Sequence, residues 1–423
     1  MAIPGVSEAR LVEVLTAHLS PSQEIKDPDR LVGRDKYLTQ VRRALLSPGR
    51  HVFIYGERGI GKTSLAISAG RLATLEDHKN FIYVPCGEHT TFFEVIDAIG
   101  GSVVSLKERV GAPKGGFTFG VSAPVGGVSM AKMPSLPGGL AVPSTMSEAF
   151  DILRYVRSKL TGQIIITVDE FDRLQSREDK RFFAELLKNV SSIIDDMRIV
   201  ICGIGANVDE FLGEHLSTGR MFEPVEVDKL SHDSLWKILS DATGPLGVTI
   251  PTGFLLRIGI ISDGFPHFVH LIGECLLYAM HDDPSSVNIC NRGHFDKALK
   301  ESLQKAEPSL RRIYQMATEK SKNKLDYEDA LWSLADRSAT RRQLKDIYDS
   351  SYKRIWTSRS REGSPLTREI LNQRLLTLRK DSHANILVGH GSGWFSFREN
   401  VVRGYVRLKA ESDGVELVPD PTN

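Results

Sequence analysis

The chain has 423 residues, of which 41% are hydrophobic and 25% are charged, a composition typical of a globular protein with two or three domains. No apolar run approaches the roughly 18 residues that a membrane-spanning helix needs, and residues 1–31 carry acidic residues and prolines where a signal peptide has an apolar core, so we expect a cytoplasmic protein with no membrane partner. The net charge of +1 hides an asymmetry, because residues 305–409 contain 22 Lys and Arg but only 12 Asp and Glu, which predicts a polyanionic partner for this region.

The first 30 residues are predicted to form a lead-in that contains one short helix, from Ser7 to His18. A second helical pattern begins after Leu31-Val32-Gly33-Arg34-Asp35 and ends at Ser47-Pro48-Gly49. Taken alone, this segment is typical of the start of a capped surface helix.

The next segment carries the strongest motif of the chain. His51 to Tyr55 is an apolar run that predicts a strand, and the eight residues that follow match the phosphate-binding pattern G-x-x-x-x-G-K-[ST] at every fixed position. Glycines allow the backbone to curl its N–H groups around phosphate oxygens, and a helix predicted over Thr63 to Leu72 adds positive potential at its start. We therefore predict ATP bound with Mg²⁺, Lys62 at the β- and γ-phosphates and the Thr63 hydroxyl on the metal ion. The predicted nucleotide contacts are Gly56, Glu57, Arg58, Gly59, Ile60, Gly61, Lys62, Thr63 and Ser64.

A second acidic motif follows about one hundred residues later. The apolar run Gln163 to Val168 predicts a strand, and it ends in the carboxylates Asp169 and Glu170. We predict that Asp169 binds Mg²⁺ through water and that Glu170 orients and deprotonates the attacking water. Further strands are predicted at Asn80 to Pro85, Arg198 to Cys202 and Phe222 to Val227, and helices at Thr91 to Ile99, Ser147 to Leu160 and Lys180 to Asp195.

This alternation of strands and helices predicts a doubly wound, largely parallel α/β domain. Residues 100–143 interrupt it with many glycines and prolines, and two alternating segments, 117–122 and 125–130, predict a hairpin. A contact role for this hairpin and a plain flexible insertion are equally compatible with the sequence. The four cysteines have no metal-ligand spacing and are predicted to be reduced core thiols: Cys86, Cys202, Cys275 and Cys290.

The remainder of the chain is predicted to be mainly helical. Helices are expected at His232 to Ala242, Pro251 to Ile261, Phe265 to Met280, Asn291 to Lys305, Leu310 to Glu319, Tyr327 to Leu334, Thr340 to Trp356 and Thr367 to Arg379. A strand pattern at Asn385 to Val388, a glycine-rich turn and a second strand pattern at Trp394 to Phe397 then predict a hairpin.

These motifs resemble those of the AAA+ ATPases, particularly the initiator-like clade of origin-recognition ATPases and its bacterial relatives. The likeness rests on the Gly33-Arg34-Asp35 segment, the phosphate loop and Asp169-Glu170-Phe171-Asp172-Arg173-Leu174, and it covers residues 31 to about 305 well and the remainder loosely. It implies an AAA+ domain over residues 31–228, a helical lid over 229–305, a winged-helix-like domain over 306–410 and a tail over 411–423.

The resemblance also implies roles for single residues. Val32, Gly33 and Arg34 would lie beside the adenine, and Asn207 would be the sensor 1 residue near the γ-phosphate. Arg220 would be an arginine finger supplied by a neighbouring subunit, which implies a homo-oligomer. The sensor 2 position of the lid carries His267 where the family has an arginine. Asn207 as a helix cap and Arg220 as an ordinary surface arginine remain open alternatives.

The winged helix that the resemblance implies would present the helix Thr367 to Arg379 to duplex DNA, through Arg368, Arg374, Arg379 and Lys380. Docking of an effector or client protein and a merely solvated charged face are the alternatives. Two functions therefore stay open: an oligomeric ATPase that rearranges subunits on DNA or a partner, and a signalling switch that ATP binding assembles. Prokaryotic antiviral defence would be one setting for the second.

Overall fold

The computed structural model describes residues 3–74, 80–104, 142–204, 221–319 and 323–418. The predicted hairpin at 117–130, Asn207 and Arg220 lie outside the described residues. In the first half of the described chain, the helices and strands are α1 (Glu8–His18), α2 (Asp35–Leu46), β1 (His51–Tyr55), α3 (Lys62–Ala73), β2 (Phe81–Pro85), α4 (Phe92–Ser102), α5 (Met146–Lys159), β3 (Ile164–Asp169), α6 (Arg177–Ile193), β4 (Met197–Gly203) and β5 (Phe222–Glu226), with short 3₁₀ turns at Pro28–Arg30 and Phe171–Arg173.

The second half of the described chain is mainly helical. It contains α7 (His232–Thr243), α8 (Thr252–Ser262), α9 (Pro266–His281), α10 (Arg292–Lys305), α11 (Pro308–Thr318), α12 (Lys324–Ala335), β6 (Arg341–Gln343), α13 (Leu344–Asp346), a π-helical segment (Ile347–Tyr352), α14 (Lys353–Ser358), α15 (Arg368–Thr377), β7 (Leu387–Gly389), β8 (Trp394–Phe397) and α16 (Asn400–Ser412), with 3₁₀ turns at Gly244–Leu246 and Asp381–His383.

The five strands of the first half form one sheet in the order β2-β3-β4-β1-β5, and every neighbouring pair is parallel. The carboxyl ends of parallel strands lie along one edge of the sheet, so the residues that follow β1 and β3 are brought to the same edge. This edge carries the phosphate loop and Asp169. The predicted parallel α/β fold is confirmed.

Helices cover both faces of this sheet. On one face, Phe53, Ile166 and Ile199 belong to a buried cluster with residues of α4, α5 and α6, such as Leu153 and Phe183. Side chains of a strand alternate between the two faces, and Ile165, which is absent from that cluster, lies beside Gly70 of α3. Burial on both faces explains why the three central strands, β1, β3 and β4, are largely apolar.

Side-chain caps fix several helix starts close to where the sequence predicts them. Ser7 accepts a hydrogen bond from the Arg10 N–H at the start of α1, and Thr91 forms a capping box with Glu94 at the start of α4. Thr367 accepts a hydrogen bond from the Ile370 N–H at the start of α15. Such caps satisfy N–H groups that have no partner within the helix.

The chain divides into two compact units. The sheet unit contains Ile25–Gly56 and Lys62–Val227, and the helical unit contains Met1–Glu24, Glu57–Gly61 and Asp228–Asn423. The five central residues of the phosphate loop thus group with the helical unit. The domain boundaries implied by the resemblance remain predictions. No helix among the described residues combines the length and apolar character that a membrane crossing requires.

One prediction about the C-terminal region is wrong, and one helix of that region was not predicted. The helix expected from Thr340 begins only at Leu344, because residues 341–343 form β6 and pair with β8 in an antiparallel sheet of three strands. The sequence analysis also missed α16, which is almost entirely buried. Its pattern was obscured by β-branched valines and by charged residues that lie inside the protein, including Arg403, Arg407 and Glu411.

The buried arginines of α16 converge on one carboxylate in the helical unit. Asp263, at the C-terminal end of α8, has a left-handed backbone conformation with φ 51°. It accepts hydrogen bonds from Arg403 Nε at 2.8 Å, Arg407 Nη1 at 3.0 Å and Lys229 Nζ at 2.9 Å. Burial alone would raise the pKa of Asp263, but these cations outweigh it and hold the pKa below its usual value. The carboxylate therefore stays ionised and joins the last helix to the α8–α9 corner.

A buried histidine lies at the start of the central strand β1. His51 is fully buried, and its Nδ1 accepts a hydrogen bond from the Ile199 N–H at 3.1 Å. Burial, assisted by the charge of Arg198, lowers the pKa of His51 from 6.5 to about 4. The ring is therefore neutral in the folded protein at pH 7.

We predict that His51 makes the fold sensitive to acid. Between pH 6.5 and 4 the unfolded chain binds a proton at His51 that the folded protein does not, so stability falls as pH decreases. We expect a loss of about 2 kcal/mol from this residue between pH 7 and pH 5. Denaturant unfolding at both pH values measures it. The His51→Asn variant keeps an acceptor and should lose this part of the pH dependence; an equal dependence in both proteins would contradict the prediction.

Candidate nucleotide-binding site

The phosphate loop connects β1 to α3 and turns at its three glycines. Gly56, Gly59 and Gly61 have φ values of 152°, 79° and 99°, which side-chain-bearing residues rarely adopt. The Ile60 N–H lies 3.4 Å from the Glu57 carbonyl and closes a turn inside the loop. The fixed glycines of the motif are therefore required by the backbone itself.

The residues after the loop place the predicted phosphate ligands at the start of α3. Lys62 Nζ donates a hydrogen bond to the Gly56 carbonyl at 3.0 Å, which keeps the ammonium group across the mouth of the loop. Ser64 Oγ accepts a hydrogen bond from the Ile25 N–H at 3.1 Å. Ser64 thus contacts the segment before α2, and its predicted phosphate contact stays a prediction.

Asp169 and Thr63, which are far apart in the sequence, meet at the edge of the sheet. Thr63 Oγ1 donates to Asp169 Oδ2 at 2.7 Å, and the Glu170 N–H donates to Asp169 Oδ1 at 2.9 Å. A third donor, which the sequence did not predict, is Tyr83 on β2. Its hydroxyl donates to Asp169 Oδ2 at 2.8 Å. This contact forms because β2 lies beside β3 in the sheet. No local sequence motif indicates it.

This arrangement suits a magnesium ion carried by a nucleotide. A hydroxyl and a carboxylate are the hard oxygen ligands that Mg²⁺ prefers, and Mg²⁺ usually uses one or two protein groups together with phosphates and water. Within the described ranges, no group of three or more His, Cys, Asp or Glu residues could hold a metal ion alone. Thr63 and Asp169 offer the two oxygen ligands that could hold such an ion together with a nucleotide.

Glu170, the predicted base, has an unusual backbone and an ion-pair partner. Its φ of 53° and ψ of 39° are left-handed, a conformation that non-glycine residues adopt mainly under constraint from their surroundings. Arg173 Nε lies 3.0 Å from Glu170 Oε2, and Arg173 Nη2 donates to Oε1 at 3.2 Å. Both side chains are exposed by more than a third, so this pair is worth at most about 1 kcal/mol.

Two cysteines flank Asp169 without reactive character. Burial, followed by the negative charge of Asp169, raises the pKa of Cys86 to about 12. The same two causes, in the same order, raise the pKa of Cys202 well above its usual value. Both thiols therefore stay protonated, and the prediction of reduced core cysteines holds for all four, which are free and buried.

The variable residues of the phosphate loop contact the C-terminal part of the helical unit. Glu57 Oε1 accepts a hydrogen bond from Asn400 Nδ2 at 2.8 Å. Arg58 lies 3.3 Å from Glu307 and 3.5 Å from Glu399. A Cβ atom on Gly59 would lie 3.3 Å from Val401, the second residue of α16. We call these contacts the loop clasp.

Arg34 and His267, which the resemblance places near the nucleotide, are largely enclosed. Arg34 is 3% exposed and its guanidinium lies 5.6 Å from the ring centre of Tyr37. The Pro21 carbonyl accepts a hydrogen bond from His267 Nδ1 at 2.8 Å, so this nitrogen carries the proton, and burial lowers the pKa of His267. A neutral His267 supplies no charge for a phosphate. Its Nε2 is buried and has no hydrogen-bond partner among the described residues.

The four residues predicted to contact DNA differ in their surroundings. Arg368, Arg379 and Lys380 are exposed. Arg374 instead donates to Asp326 Oδ2 from Nε at 3.3 Å and from Nη2 at 3.1 Å, and it lies over the ring of Tyr327. Part of the positive charge of this region is thus neutralised inside it.

Comparisons with known proteins agree with this geometry. Residues 30–201 match the family model of the AAA ATPase domain. A Walker-type ATPase of Pyrococcus abyssi superimposes with a TM-score of 0.54 at 17% identity, over 91% of this chain and 99% of that one, which shows a shared fold.

Two other solved structures resemble the chain more weakly. The Orc1 protein of Aeropyrum pernix in complex with DNA has a TM-score of 0.46 at 16% identity, over 91% of this chain and 94% of that one. The RuvB Holliday junction branch migration motor of Thermotoga maritima has a TM-score of 0.41 at 13% identity, over 88% and 95%. No curated protein sequence matches the chain.

We predict that substitution of Arg374 and substitution of Arg368 by alanine have different effects on the free energy of unfolding. Arg374→Ala should lower the free energy of unfolding by about 1–2 kcal/mol, because it leaves the half-buried Asp326 with one cation fewer. Arg368→Ala should stay within about 0.5 kcal/mol of the parent, because its side chain is exposed. Chemical denaturation compares the two, and equal stabilities would mean that the Arg374 pair is not formed in solution.

Proposed function

We propose that this chain, whose residues 30–201 match the AAA ATPase domain, is an ATPase that hydrolyses Mg²⁺–ATP at the phosphate loop. The observation that carries the proposal is the 2.7 Å contact between Thr63 and Asp169, because it joins the two motifs at one point of the sheet edge. Bound Mg²⁺ would neutralise charge on the β- and γ-phosphate oxygens. Lys62 adds a second positive charge, and the loop N–H groups bind the phosphates.

Glu170 follows Asp169 directly and is the group proposed to accept the proton of the attacking water. In the structure its carboxylate is paired with Arg173, so this pair must open before Glu170 can act. An exposed pair costs little to open, and contacts made by the nucleotide can supply that free energy. Val32, Gly33 and Arg34 are proposed base-side contacts. His267, at the position that the resemblance assigns to sensor 2, is a proposed nucleotide contact that carries no charge.

Self-association is a further part of the proposal. Arg220 would complete the site of a neighbouring copy, and Asn207 would contact the γ-phosphate or the attacking water; the support for both is the resemblance to the AAA+ family. Such a shared site requires a homo-oligomer, which we propose to be nucleotide-dependent and cytoplasmic.

The exposed basic residues around α15 support a role on duplex DNA. Arg368, Arg379 and Lys380 lie on or just after this helix, where the winged-helix interpretation places the DNA-contacting face. Arg374 is the weakest of the four proposed contacts, because Asp326 already occupies its guanidinium.

The loop clasp favours a second candidate function. Glu57, Arg58 and Gly59 belong to the phosphate loop. Glu57 and Arg58 also contact Asn400, Glu307 and Glu399, and Val401 occupies the space next to Gly59. Nucleotide binding that shifts the loop would disturb these contacts. A signalling or defence switch, in which ATP binding changes how the C-terminal region docks an effector or client protein, would use that coupling.

We expect Lys62→Ala to lose stable ATP binding, because it removes the charge that faces the β- and γ-phosphates. Glu170→Gln should still bind ATP but lose turnover by at least about 100-fold, because an amide cannot accept the proton. Equilibrium binding of a fluorescent ATP analogue and steady-state phosphate release test both. Parent-like turnover in Glu170→Gln would show that Glu170 is not the base, and unchanged binding in Lys62→Ala would remove the loop from the site.

We expect duplex DNA to bind with a steep salt dependence. The double variant Arg368→Ala/Arg379→Ala should lower affinity and reduce the slope of log K against log salt by about 0.9 for each lost phosphate contact. The control double variant Arg154→Ala/Lys237→Ala removes the same charge from exposed positions on α5 and α7 and should keep the parental slope. Fluorescence anisotropy of labelled duplex DNA at several salt concentrations measures the affinity and the slope for each protein. A parent that does not bind DNA would favour the switch.

A further inference from the structure

Tyr83 contacts the predicted magnesium ligand but belongs to neither nucleotide motif. It lies on β2 opposite Thr167 of β3, and Pro85 lies opposite Asp169. Residues two apart on a strand face the same side, so the register places the Tyr83 ring and the Asp169 carboxylate on one face of the sheet. The hydroxyl reaches Asp169 Oδ2 at 2.8 Å.

The hydrogen-bond donors around Asp169 determine how its carboxylate is oriented, and the Cys202 thiol is one of them. Oδ1 accepts the Glu170 N–H, and Oδ2 accepts both the Thr63 and Tyr83 hydroxyls. Thr63 is itself a predicted metal ligand, so its hydroxyl changes its surroundings when Mg²⁺–nucleotide binds. Tyr83 is not a predicted metal ligand, so its hydroxyl can hold Asp169 Oδ2 both with and without the nucleotide. A thiol is a weaker hydrogen-bond donor than a phenol hydroxyl, so Cys202 constrains the carboxylate less.

We propose that Tyr83 is a positioning residue that orients Asp169 toward the magnesium ion of the bound nucleotide. The inference rests on the proposed function and adds a residue to it. Hydrogen-bond partners of metal-binding carboxylates fix the direction of the ligand oxygen and so raise the affinity of the metal. The aromatic ring holds the hydroxyl on a rigid strand, which suits this task better than a flexible chain would.

The test compares Tyr83→Phe with the parent, using the full chain. The substitution removes one oxygen and keeps the ring, and Tyr155→Phe on α5 is the matched control. ADP replaces ATP, so that no variant turns over during the measurement. Titration of Mg²⁺ against binding of fluorescent ADP gives the half-saturating metal concentration. Electron paramagnetic resonance of Mn²⁺ with ADP measures bound metal directly, and thermal unfolding reports any loss of fold.

We expect Tyr83→Phe to raise the half-saturating Mg²⁺ concentration by about 10-fold, while Tyr155→Phe matches the parent. ADP affinity in EDTA should be unchanged, because the loop and Lys62 are intact. A Mg²⁺ requirement equal to or below that of the parent would overturn the proposal, as would an equal loss of ADP affinity with and without metal. A parent that binds no Mg²⁺–ADP would overturn this inference and the proposed function together, whereas a binding parent with an unaffected variant would overturn the inference alone.

Discussion

The helical unit depends on one buried carboxylate. Asp263 lies where α8 ends in a left-handed residue, and it is surrounded by Arg403, Arg407 and Lys229. The two arginines also donate to the carbonyls of residues 335–339, so the end of α12 is connected to α8 through α16. Removing one member of a buried charged group typically costs about 3–5 kcal/mol, because the others lose their compensation. Helices α8, α12 and α16 are therefore parts of one packed unit.

Sequence patterns could predict the sheet and the candidate site because both depend on short-range signals. Strands buried on both faces require apolar runs, helix starts require caps, and a phosphate loop requires glycines at fixed spacing. The contact between Thr63 and Asp169 can be predicted from a parallel sheet, because the carboxyl ends of β1 and β3 then lie at the same edge. The contact of Tyr83 with Asp169 could not be predicted in this way, because it depends on which strand lies beside β3 and on its register.

The errors in the C-terminal region have a common physical cause. Polar residues usually mark exposed positions, yet Arg342 in β6 and Arg403 in α16 are each 2% exposed and donate to carbonyls or carboxylates. A pattern based on hydrophobicity therefore predicted a helix where β6 lies and missed α16 altogether. Buried arginines also reduce what the charge excess of residues 305–409 implies. Because they neutralise internal acceptors, they contribute little to the electrostatic field that a polyanion would meet.

The loop clasp would be lost in a fragment that lacks the C-terminal region. A fragment that ends near residue 228 would keep every residue of the nucleotide motif, but Glu57 would lose Asn400, and Arg58 would lose Glu307 and Glu399. Gly59 would lose the apolar surface of Val401. The loop of such a fragment would be more mobile than in the intact chain, so the dissociation constant measured on an isolated ATPase domain would describe the fragment and not the protein.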